Sequence, residues 1–333
     1  MTLAKYILSE LRKENISEEV AKQYFKEFFS NQAVDSVCHP LLHKNTSNLS
    51  EQRFTSSFSG SEFPLNEHVV TGKSVLADVS LLEMARAAVE LSSVQAERSS
   101  VGSDHTKPAT RESLILKDVS WPQAIGFSNS SIDIHIGLFG SDDNHSKQVH
   151  YEIYSESNSS QSIRLHSKGI AEYKVTHDRP RLGINELQAQ MGNVLLSSEE
   201  CYQSLKLLGL DYAEAHQSIN EIYRGKNQVL AKLGLPPSLS DTQLDYEIHP
   251  SLIDGAFQSL TCLLFDADVF GADEIENKPK STVQAAHPLS LESLEVISSC
   301  TRNMFAWARY ANGSSASAKD QKIDIDLCDE QGL

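Results

Sequence analysis

Two apolar segments with helical spacing, each lying among short β-rich runs, constrain the fold of this chain most strongly. The first, LLEMARAAVEL, begins near Val79, and the second, HPSLIDGAFQSLTCLLF, covers residues 249–265. Apolar residues of the first segment recur at positions that make a broad stripe on a helix: Leu81, Leu82, Ala85, Ala88 and Val89. A stripe of this width predicts a helix that a sheet wraps.

The runs around these helices are rich in β-branched and aromatic residues, and several alternate apolar with polar positions. In the first half they are RFTSSFSG, SLILKDVSW, SIDIHIGLF, QVHYEIYS and IRLHSKGIAEYKV; in the second they are LSLESLEVI, MFAWARYA and KIDIDLCD. Residues 198–208 and 216–224 have helical patterns. The repeated order of strands and one enclosed helix predicts an α+β protein made of two similar units side by side.

We therefore expect three parts along the chain. Residues 1–33 have the spacing of short amphipathic helices, with Ser17 as an N-cap, and are predicted to be a helical linker. The two α+β halves are predicted at 36–178 and 185–333. The low-hydrophobicity segment SSVQAERSSVGSDHTKPATRE is predicted as a loop, and the stretch near 176–190 as the connection between the halves.

Charge and cysteine content exclude several classes of function. The 29 Lys and Arg residues against 45 Asp and Glu residues give a net charge of −16, which argues against a protein that binds the nucleic-acid backbone. The 5 cysteines are far apart and have no CxxC spacing, so we expect reduced thiols without metal or disulfides. No apolar run approaches the length that spans a membrane, so we expect a soluble cytoplasmic chain with no membrane partner.

The tetrapeptide TGKS at residues 71–74 resembles the end of a phosphate-binding loop, but the resemblance fails one test. A P-loop needs a glycine five residues before its Gly-Lys-Ser, where the chain turns tightly around the phosphates. That position is Glu67, an anion where phosphate would have to approach. We therefore exclude a nucleotide site here.

Two ionisable residues precede the enclosed helices and could converge on one cleft as base and acid. His68 lies in a predicted turn before the first helix, and Asp254 at the predicted start of the second. Each has a simple structural alternative, since a single histidine is often structural and an aspartate before an apolar helix is often an N-cap. The other histidines considered have no partner pattern and are predicted to be structural: His39, His135, His150, His166 and His287.

These residues lie in motifs that resemble those of the dehydratase domains of modular polyketide synthases, over nearly the whole chain. HVVTGKSVLA supplies the His68 and Gly72 of an HxxxGxxxxP motif, and DGAFQ supplies the Asp254 and Gln258 of a DxxxQ motif. The flanking stretches HPLLHKNTSNLSEQRFTSSFSG, LLEMARAA and YEIHPSLIDGAFQ are also similar to the family. The resemblance implies a double hotdog fold, in which two sheets each wrap a long helix.

The resemblance also implies the chemistry. The substrate would be a thioester on the phosphopantetheine arm of an acyl carrier protein, with no cofactor or metal held by the domain itself. His68 would be the general base and Asp254 the acid, Gln258 would orient Asp254, and Gly72 would lie near the thioester carbonyl. Neighbouring synthase domains and a second copy of the chain, in a homodimer, are the other implied partners.

Two motifs depart from the family pattern while His68 and Asp254 remain. Where the family has Pro-Gly after Leu76, this chain has Ala77-Asp78. Where the family has a motif close to GYxYGPxF, this chain reads GLDYAEAHQSI, which keeps Tyr212 but contains Ala213-Glu214 and His216. We predict that these substrate-binding positions reshape the pocket.

The changed residues at the first helix also have a structural alternative. Asp78 is a good N-cap residue, and Ser80 with Glu83 fits the spacing of a capping box. Capping and a reshaped pocket are compatible with each other.

Retention of base and acid with altered loops favours a changed reaction. The pattern is similar to that of pyran synthase domains of trans-acyltransferase polyketide synthases in antibiotic biosynthesis, which form a cyclic ether by intramolecular oxa-Michael addition to an α,β-unsaturated thioester. A conventional dehydratase is the main alternative, and an enoyl isomerase or a non-catalytic docking domain are further ones. For the enzymatic functions, we expect His68 and Asp254 to face one another across one tunnel between the halves.

Overall fold

The computed structural model describes most of the chain after residue 38. The described residues are Ser17, Val20, 39–48, 51–60, 62–64, 68–70, 73–99, 112–126, 131–140, 148–156, 162–175, 181–191, 194–264 and 288–333. The rest of the predicted linker 1–33 lies outside them. Between the two described residues of this linker, the Val20 N–H donates to Ser17 Oγ at 3.3 Å, which is the hydrogen bond expected of Ser17 as an N-cap.

Strands predominate in the described part of the chain, and five α-helices accompany them. The strands are β1 (Lys44–Asn45), β2 (Gln52–Phe58), β3 (His68–Val70), β4 (Lys73–Ser74), β5 (Glu112–Ser120), β6 (Ile132–Gly140), β7 (Val149–Glu156), β8 (Ile163–Val175), β9 (Val194–Ser197), β10 (Leu210–Tyr212), β11 (Ile219–Gly225), β12 (Gln228–Gly234), β13 (Ser290–Val296), β14 (Asn303–Tyr310) and β15 (Ile323–Asp329). The helices are α1 (Asp78–Ser99), α2 (Ile184–Met191), α3 (Ser198–Leu207), α4 (Pro250–Gln258) and α5 (Leu260–Leu264).

The first half wraps helix α1 in a seven-stranded antiparallel sheet with the order β1-β2-β6-β7-β8-β5-β13. Every residue of α1 from 79 to 89 is buried, so the helix is enclosed rather than amphipathic. The strands face it through alternate residues, as in β2, where Phe54, Ser56 and Phe58 are buried. This packing confirms the predicted wrapped helix.

The second half has a five-stranded antiparallel sheet with the order β15-β14-β12-β11-β9. Helices α4 and α5 pack on its β12 and β14 strands, and α4 also contacts α1. Leu252 and Ala256 of α4 belong to the core of this half, whereas Ile253 belongs to the core around α1. The two enclosed helices therefore lie side by side, and the chain has the double hotdog fold that the resemblance implies.

Strand pairing crosses between the halves in two places. Strand β13, from the second half of the sequence, pairs antiparallel with β5 of the first sheet. Strand β3 forms a small sheet with the order β10-β3-β4, so the segment around His68 pairs with β10 from the second half. Strands on opposite sides of the predicted boundary near 178–185 therefore pair with each other in the same sheets.

One predicted helix is wrong. Residues 216–224 end a 3₁₀ turn and then form β11, a strand with neighbours on both sides. Ile219 and Ile222 are three residues apart, which imitates a helical period, and both are fully buried. A register shift between Ile219 and Glu221 is a β-bulge, and this extra residue lets both isoleucines face the core.

Other boundaries differ by a turn or two. Helix α1 continues to Ser99, so it includes residues that were predicted as the start of a loop. The predicted connection near 176–190 contains α2, and the second apolar segment forms two helices, α4 and α5, with Ser259 between them. Composition alone does not reveal these continuations because polar residues on an exposed helix face resemble those of a loop.

A buried carboxylate, Glu83 of α1, joins the two halves. It accepts hydrogen bonds from His39 Nε2 at 3.1 Å and from Arg86 Nε and Nη2 at 2.7 and 2.9 Å. It also accepts the backbone N–H groups of Glu247 and Ile248, at 3.0 and 3.1 Å, from the chain just before α4. Burial alone would raise the pKa of Glu83, but the hydrogen bonds from His39 and Arg86 lower it below its ordinary value.

The N-terminus of α4 is capped by a buried histidine. The Ser251 N–H donates to His249 Nδ1 at 3.3 Å, and His249 Nε2 lies 3.0 Å from Thr242 Oγ1. Because Thr242 Oγ1 donates to the carbonyl of Leu239, it accepts from His249, which is therefore the neutral Nε2–H tautomer. Burial lowers the pKa of His249 to about 4, although the charge of Glu83 opposes this shift.

Replacing Glu83 should destabilise the fold strongly. In Glu83→Gln the guanidinium of Arg86 stays buried without its main counter-charge, so we expect the free energy of unfolding to fall by about 3–5 kcal/mol. Glu90→Gln is the matched control, because Glu90 also pairs with Arg86 but its side chain is 48% accessible. We expect a loss below about 1 kcal/mol for this control. Urea unfolding measures both, and equal losses would contradict a special role for Glu83.

Protonation of His249 should destabilise the protein in mild acid. The pKa of an unfolded histidine is about 6.5, whereas the pKa of folded His249 is about 4. Between these two pH values the unfolded state therefore binds more protons than the folded state. Stability should therefore fall as the pH decreases from ~6.5 towards ~4, with a loss of about 2 kcal/mol by pH ~5. His249→Asn keeps an N-cap acceptor but cannot titrate. Parallel urea-stability curves for wild type and variant across this range would refute the assignment.

Candidate active site

Asp254 lies inside helix α4, not at its start as predicted. The helix begins at Pro250, with His249 as its N-cap, and Asp254 is in the second turn. Proline favours the first helical position because it has no N–H to leave unpaired and its φ is already helical. Asp254 is therefore no N-cap, and its side chain is 10% accessible.

Two side chains lie within hydrogen-bond distance of the same oxygen of Asp254. His216 Nδ1 lies 3.2 Å from Oδ2, and Gln258 Nε2 donates to Oδ2 at 3.0 Å. Gln258 is four residues after Asp254, so both project from the same face of α4. Among the described residues, none donates a hydrogen bond to the other oxygen, Oδ1. The orientation of Asp254 by Gln258, which the resemblance implies, has a direct hydrogen bond to support it.

Gln258 is itself held by a buried network. Its Nε2 also donates to the His216 carbonyl at 3.0 Å, and Tyr202 Oη donates to its Oε1 at 3.0 Å. The Ile219 N–H donates to Tyr202 Oη at 3.0 Å. Because both the amide nitrogen and the amide oxygen of Gln258 have hydrogen-bond partners, the orientation of its amide group is well defined.

The altered GLDYAEAHQSI motif forms the wall beside Asp254. Strand β10 ends at Tyr212, and a 3₁₀ turn over Glu214–His216 follows. The Tyr212 side chain is half-buried, and its pKa is raised by burial and by the nearby charge of Asp254. Glu214 is exposed on the turn, whereas His216 is fully buried. The imidazole of His216 contacts Asp254, and the prediction that His216 binds substrate stays a prediction.

His68 is in strand β3, not in a turn as predicted. Its backbone is opposite Tyr212 in the antiparallel β3–β10 pair. This pairing brings the main chain of His68 next to the segment that leads to His216 and thus to Asp254. The description covers the backbone of His68 but not its side chain, and Gly72 lies outside the described residues, so the predicted meeting of His68 and Asp254 in one tunnel stays a prediction.

The Ala77-Asp78 pair is at the start of α1. Asp78 is the first helical residue, so it is not the N-cap that the alternative suggested, and Ala77 precedes it with 4% exposure. The Ser80 N–H donates to the Ala77 carbonyl at 2.9 Å. Ser80 and Glu83 form no capping box, because Glu83 is engaged with Arg86 and the chain before α4. An acidic residue in the first turn still suits the helix dipole.

Three of the histidines predicted to be structural have structural contacts. His39 donates to Glu83, His135 contacts Thr55 Oγ1 at 2.9 Å, and His166 contacts Ser155 Oγ at 2.9 Å. His150 is exposed on β7, and His287 lies outside the described residues. Sequence reasoning missed His249, although the proline that follows it was a usable signal, and it missed Tyr202, for which no local pattern exists.

Three further features of the described part of the chain concern metal binding, cysteines and membrane-spanning helices. Its residues contain no group of three or more His, Cys, Asp or Glu side chains that could hold a metal ion. Its four cysteines are free and buried. No helix in the described ranges is long and apolar enough to cross a membrane.

Comparisons with known proteins agree with the family resemblance of the sequence. A family model described as the polyketide synthase dehydratase N-terminal domain matches residues 180–333, and one described as the polyketide synthase dehydratase domain matches residues 39–156. Polyketide synthases PksM and PksN of Bacillus subtilis (strain 168) are 33% and 36% identical over 300 and 299 residues, which are 90% and 89% of this chain. The chain spans only 6% and 5% of the length of these relatives.

Solved structures extend the comparison to the fold. A trans-AT PKS dehydratase domain from Brevibacillus brevis is 34% identical, with a TM-score of 0.73 over 88% of this chain and 93% of that one. The dehydratase domain of RzxB from Pseudomonas fluorescens is 25% identical, with a TM-score of 0.68 over 89% and 95%. The dehydratase domain from the CurF module of curacin polyketide synthase, 22% identical with a TM-score of 0.70 over 89% and 95%, supports the fold alone. The chain therefore belongs to the dehydratase domain family of polyketide synthases.

Proposed function

We propose that this domain closes a cyclic ether on a chain that an acyl carrier protein holds as a thioester, in a synthase of the trans-acyltransferase type. A hydroxyl of the substrate adds to the β-carbon of its own α,β-unsaturated thioester, with His68 as the general base and Asp254 as the acid. The domain needs no cofactor of its own, because base and acid suffice for this addition.

The observation that carries this proposal is the contact between His216 and Asp254. His216 occupies the position where the family motif has an aromatic residue, and its Nδ1 is 3.2 Å from Asp254 Oδ2. The departure from the family pattern thus adjoins the proposed acid, while the acid and its partner Gln258 are retained. This arrangement favours an adapted reaction over a decayed site.

The proposed reaction balances without any atom lost. His68 removes the proton from the attacking hydroxyl as its oxygen bonds to the β-carbon, and the π electrons move to form an enolate. The α-carbon then takes a proton from Asp254. Solvent reprotonates Asp254, and His68 releases to solvent the proton that it took from the hydroxyl. An intramolecular attack of this kind gains greatly from a pocket that folds the substrate back, since effective molarities reach about 10⁵ M or more.

The proposed reaction also requires a place for the enolate oxygen, and we assign it to the start of α1. The first N–H groups of a helix have no partner within the helix, so they can stabilise negative charge. Helix α1 begins at Asp78, directly after the altered position Ala77, and Gly72 precedes it in the motif. We propose that backbone donors here polarise the thioester carbonyl, and that Ala77-Asp78, Glu214 and Tyr212 shape the space for a folded chain.

Conventional dehydration is the second candidate, and the retained pair of His68 and Asp254 supports it directly. In that reaction the base removes an α-proton from a β-hydroxyacyl thioester and the acid protonates the leaving hydroxyl. The same residues serve both reactions, so the substrate and the product distinguish them.

Two short thioesters should separate the candidates. The purified domain is offered an α,β-unsaturated thioester with a suitably distant hydroxyl, and separately a plain β-hydroxyacyl thioester. We expect cyclic ether from the first, because the pocket folds the chain back, and no alkene from the second. Chromatography with mass spectrometry detects both products, and in D₂O the cyclic ether should carry deuterium at the α-carbon.

The reverse result has a clear meaning. Alkene from the second thioester with no ring from the first would identify an ordinary dehydratase with unusual loops. The spontaneous cyclisation rate, measured without protein, is the baseline for the first reaction.

Removing either proposed catalytic group should stop turnover without unfolding the chain. We expect His68→Ala to lower the rate by about 10²–10⁴-fold with little change in melting temperature, because a general base contributes about this much. Asp254→Asn, which keeps the shape of the side chain, should act similarly. His150→Ala is the control, since His150 is exposed on β7 away from the motifs. Full activity of the folded His68→Ala fraction would make His68 structural.

The proposed partners follow from the family. The domain would receive its substrate from an acyl carrier protein and would work beside neighbouring synthase domains. We also propose that two copies associate, which light scattering can test.

A further inference from the structure

We propose that His216 is a positioning residue that fixes the carboxyl group of Asp254 so that its Oδ1 faces the substrate. The inference rests on the proposed function only in requiring that Asp254 delivers the proton, whether the product is a ring or an alkene.

The main chain of His216 is held independently of its ring. Its N–H donates to the Ala213 carbonyl at 2.9 Å, and its carbonyl accepts from Gln258 Nε2 at 3.0 Å. Any residue other than proline at 216 could supply these backbone bonds. The 3₁₀ turn therefore does not require an imidazole, and the imidazole adds a contact with Asp254.

The ring has a defined orientation. It is fully buried, and it packs against Phe63 with a distance of 5.8 Å between ring centroids. Because a carboxylate oxygen only accepts hydrogen bonds, the Nδ1 of His216 carries hydrogen when Asp254 is ionised. A donor that burial holds in place loses little freedom when it binds, so it orients its acceptor effectively.

Two fixed donors on one oxygen define where the other oxygen points. Gln258, from the same helix, and His216, from the 3₁₀ turn, both contact Oδ2 of Asp254. Rotation of the carboxyl group would break at least one of these bonds. Oδ1 makes no hydrogen bond with the described residues, and the Asp254 side chain keeps 10% of its surface accessible. Oδ1 is thus the oxygen left to meet the substrate.

The test compares two replacements of His216, each of which keeps one property of the imidazole and removes the other. His216→Asn can place its amide Nδ2 where Nδ1 was, so it keeps the donor. His216→Phe keeps a ring against Phe63, restores the type of residue in the family motif and removes the donor. Both should fold, which circular dichroism and melting temperature verify.

We expect His216→Phe to lower kcat by about 10- to 100-fold with little change in KM, because small displacements of a reacting group cost about this much. His216→Asn should retain at least about a third of the wild-type kcat, since one suitably placed donor replaces another. Equal losses in both variants, or no loss in His216→Phe, would overturn the inference.

A double-mutant cycle with Asp254→Asn provides the second readout. If His216 acts through Asp254, adding His216→Phe to Asp254→Asn should lower the rate no further. Losses that multiply would mean that His216 acts elsewhere, and would also overturn the inference. Each rate is measured for the product that the wild type forms, whether ring or alkene. An alkene product would contradict the proposed function, but the comparison of the His216 variants would still test this inference.

Discussion

The carboxylate of Glu83 is the interaction on which the arrangement of the two halves depends. It is buried between the helices and accepts hydrogen bonds from His39 and Arg86 in the first half and from two backbone N–H groups in the second. Buried ion pairs contribute little net stability compared with apolar packing, but a buried charge that has lost its partner is strongly destabilising. Such a group therefore selects one relative placement of the halves and penalises others.

The position of the site follows from this attachment. Glu83 holds the N–H of Ile248, the next residue is the cap His249, and α4 begins immediately afterwards. Asp254 is thus less than two turns from the attachment, on a helix whose start cannot shift. From the other side, pairing of β3 with β10 ties the backbone of His68 to the segment that leads to His216. Contacts between the halves thus position the backbone of His68 and the helix that carries Asp254, the two residues that we propose as base and acid.

The sequence was sufficient to predict those parts of the fold that local patterns specify. The long strands and the start of α1 were recognised because alternation and helical stripes are properties of a few neighbouring residues. The pattern failed at Ile219 and Ile222, where a β-bulge gives a strand the spacing of a helix. It failed again at Asp254, since Pro250, which directly follows the N-cap His249, marks where the helix begins.

The candidate site was predictable in its members but not in its contacts. The motifs and the resemblance named Asp254, Gln258 and His216, yet nothing local indicated that His216 would bond to Asp254. That contact joins residues 38 positions apart and depends on how the turn at Glu214–His216 packs against α4. Tyr202 is a further example, because its hydroxyl links Gln258 to β11 through tertiary structure alone.

The location of the altered motifs explains how one fold can support different reactions. Ala77-Asp78 precedes the enclosed part of α1, and Ala213-Glu214 lies on a turn outside the sheets, so neither change disturbs the wrapped helices. Addition and dehydration need the same base and acid but differently shaped substrates. The proposed change of reaction therefore requires new walls rather than new catalytic groups, and the proposed role of His216 is to keep Asp254 aligned when the walls change.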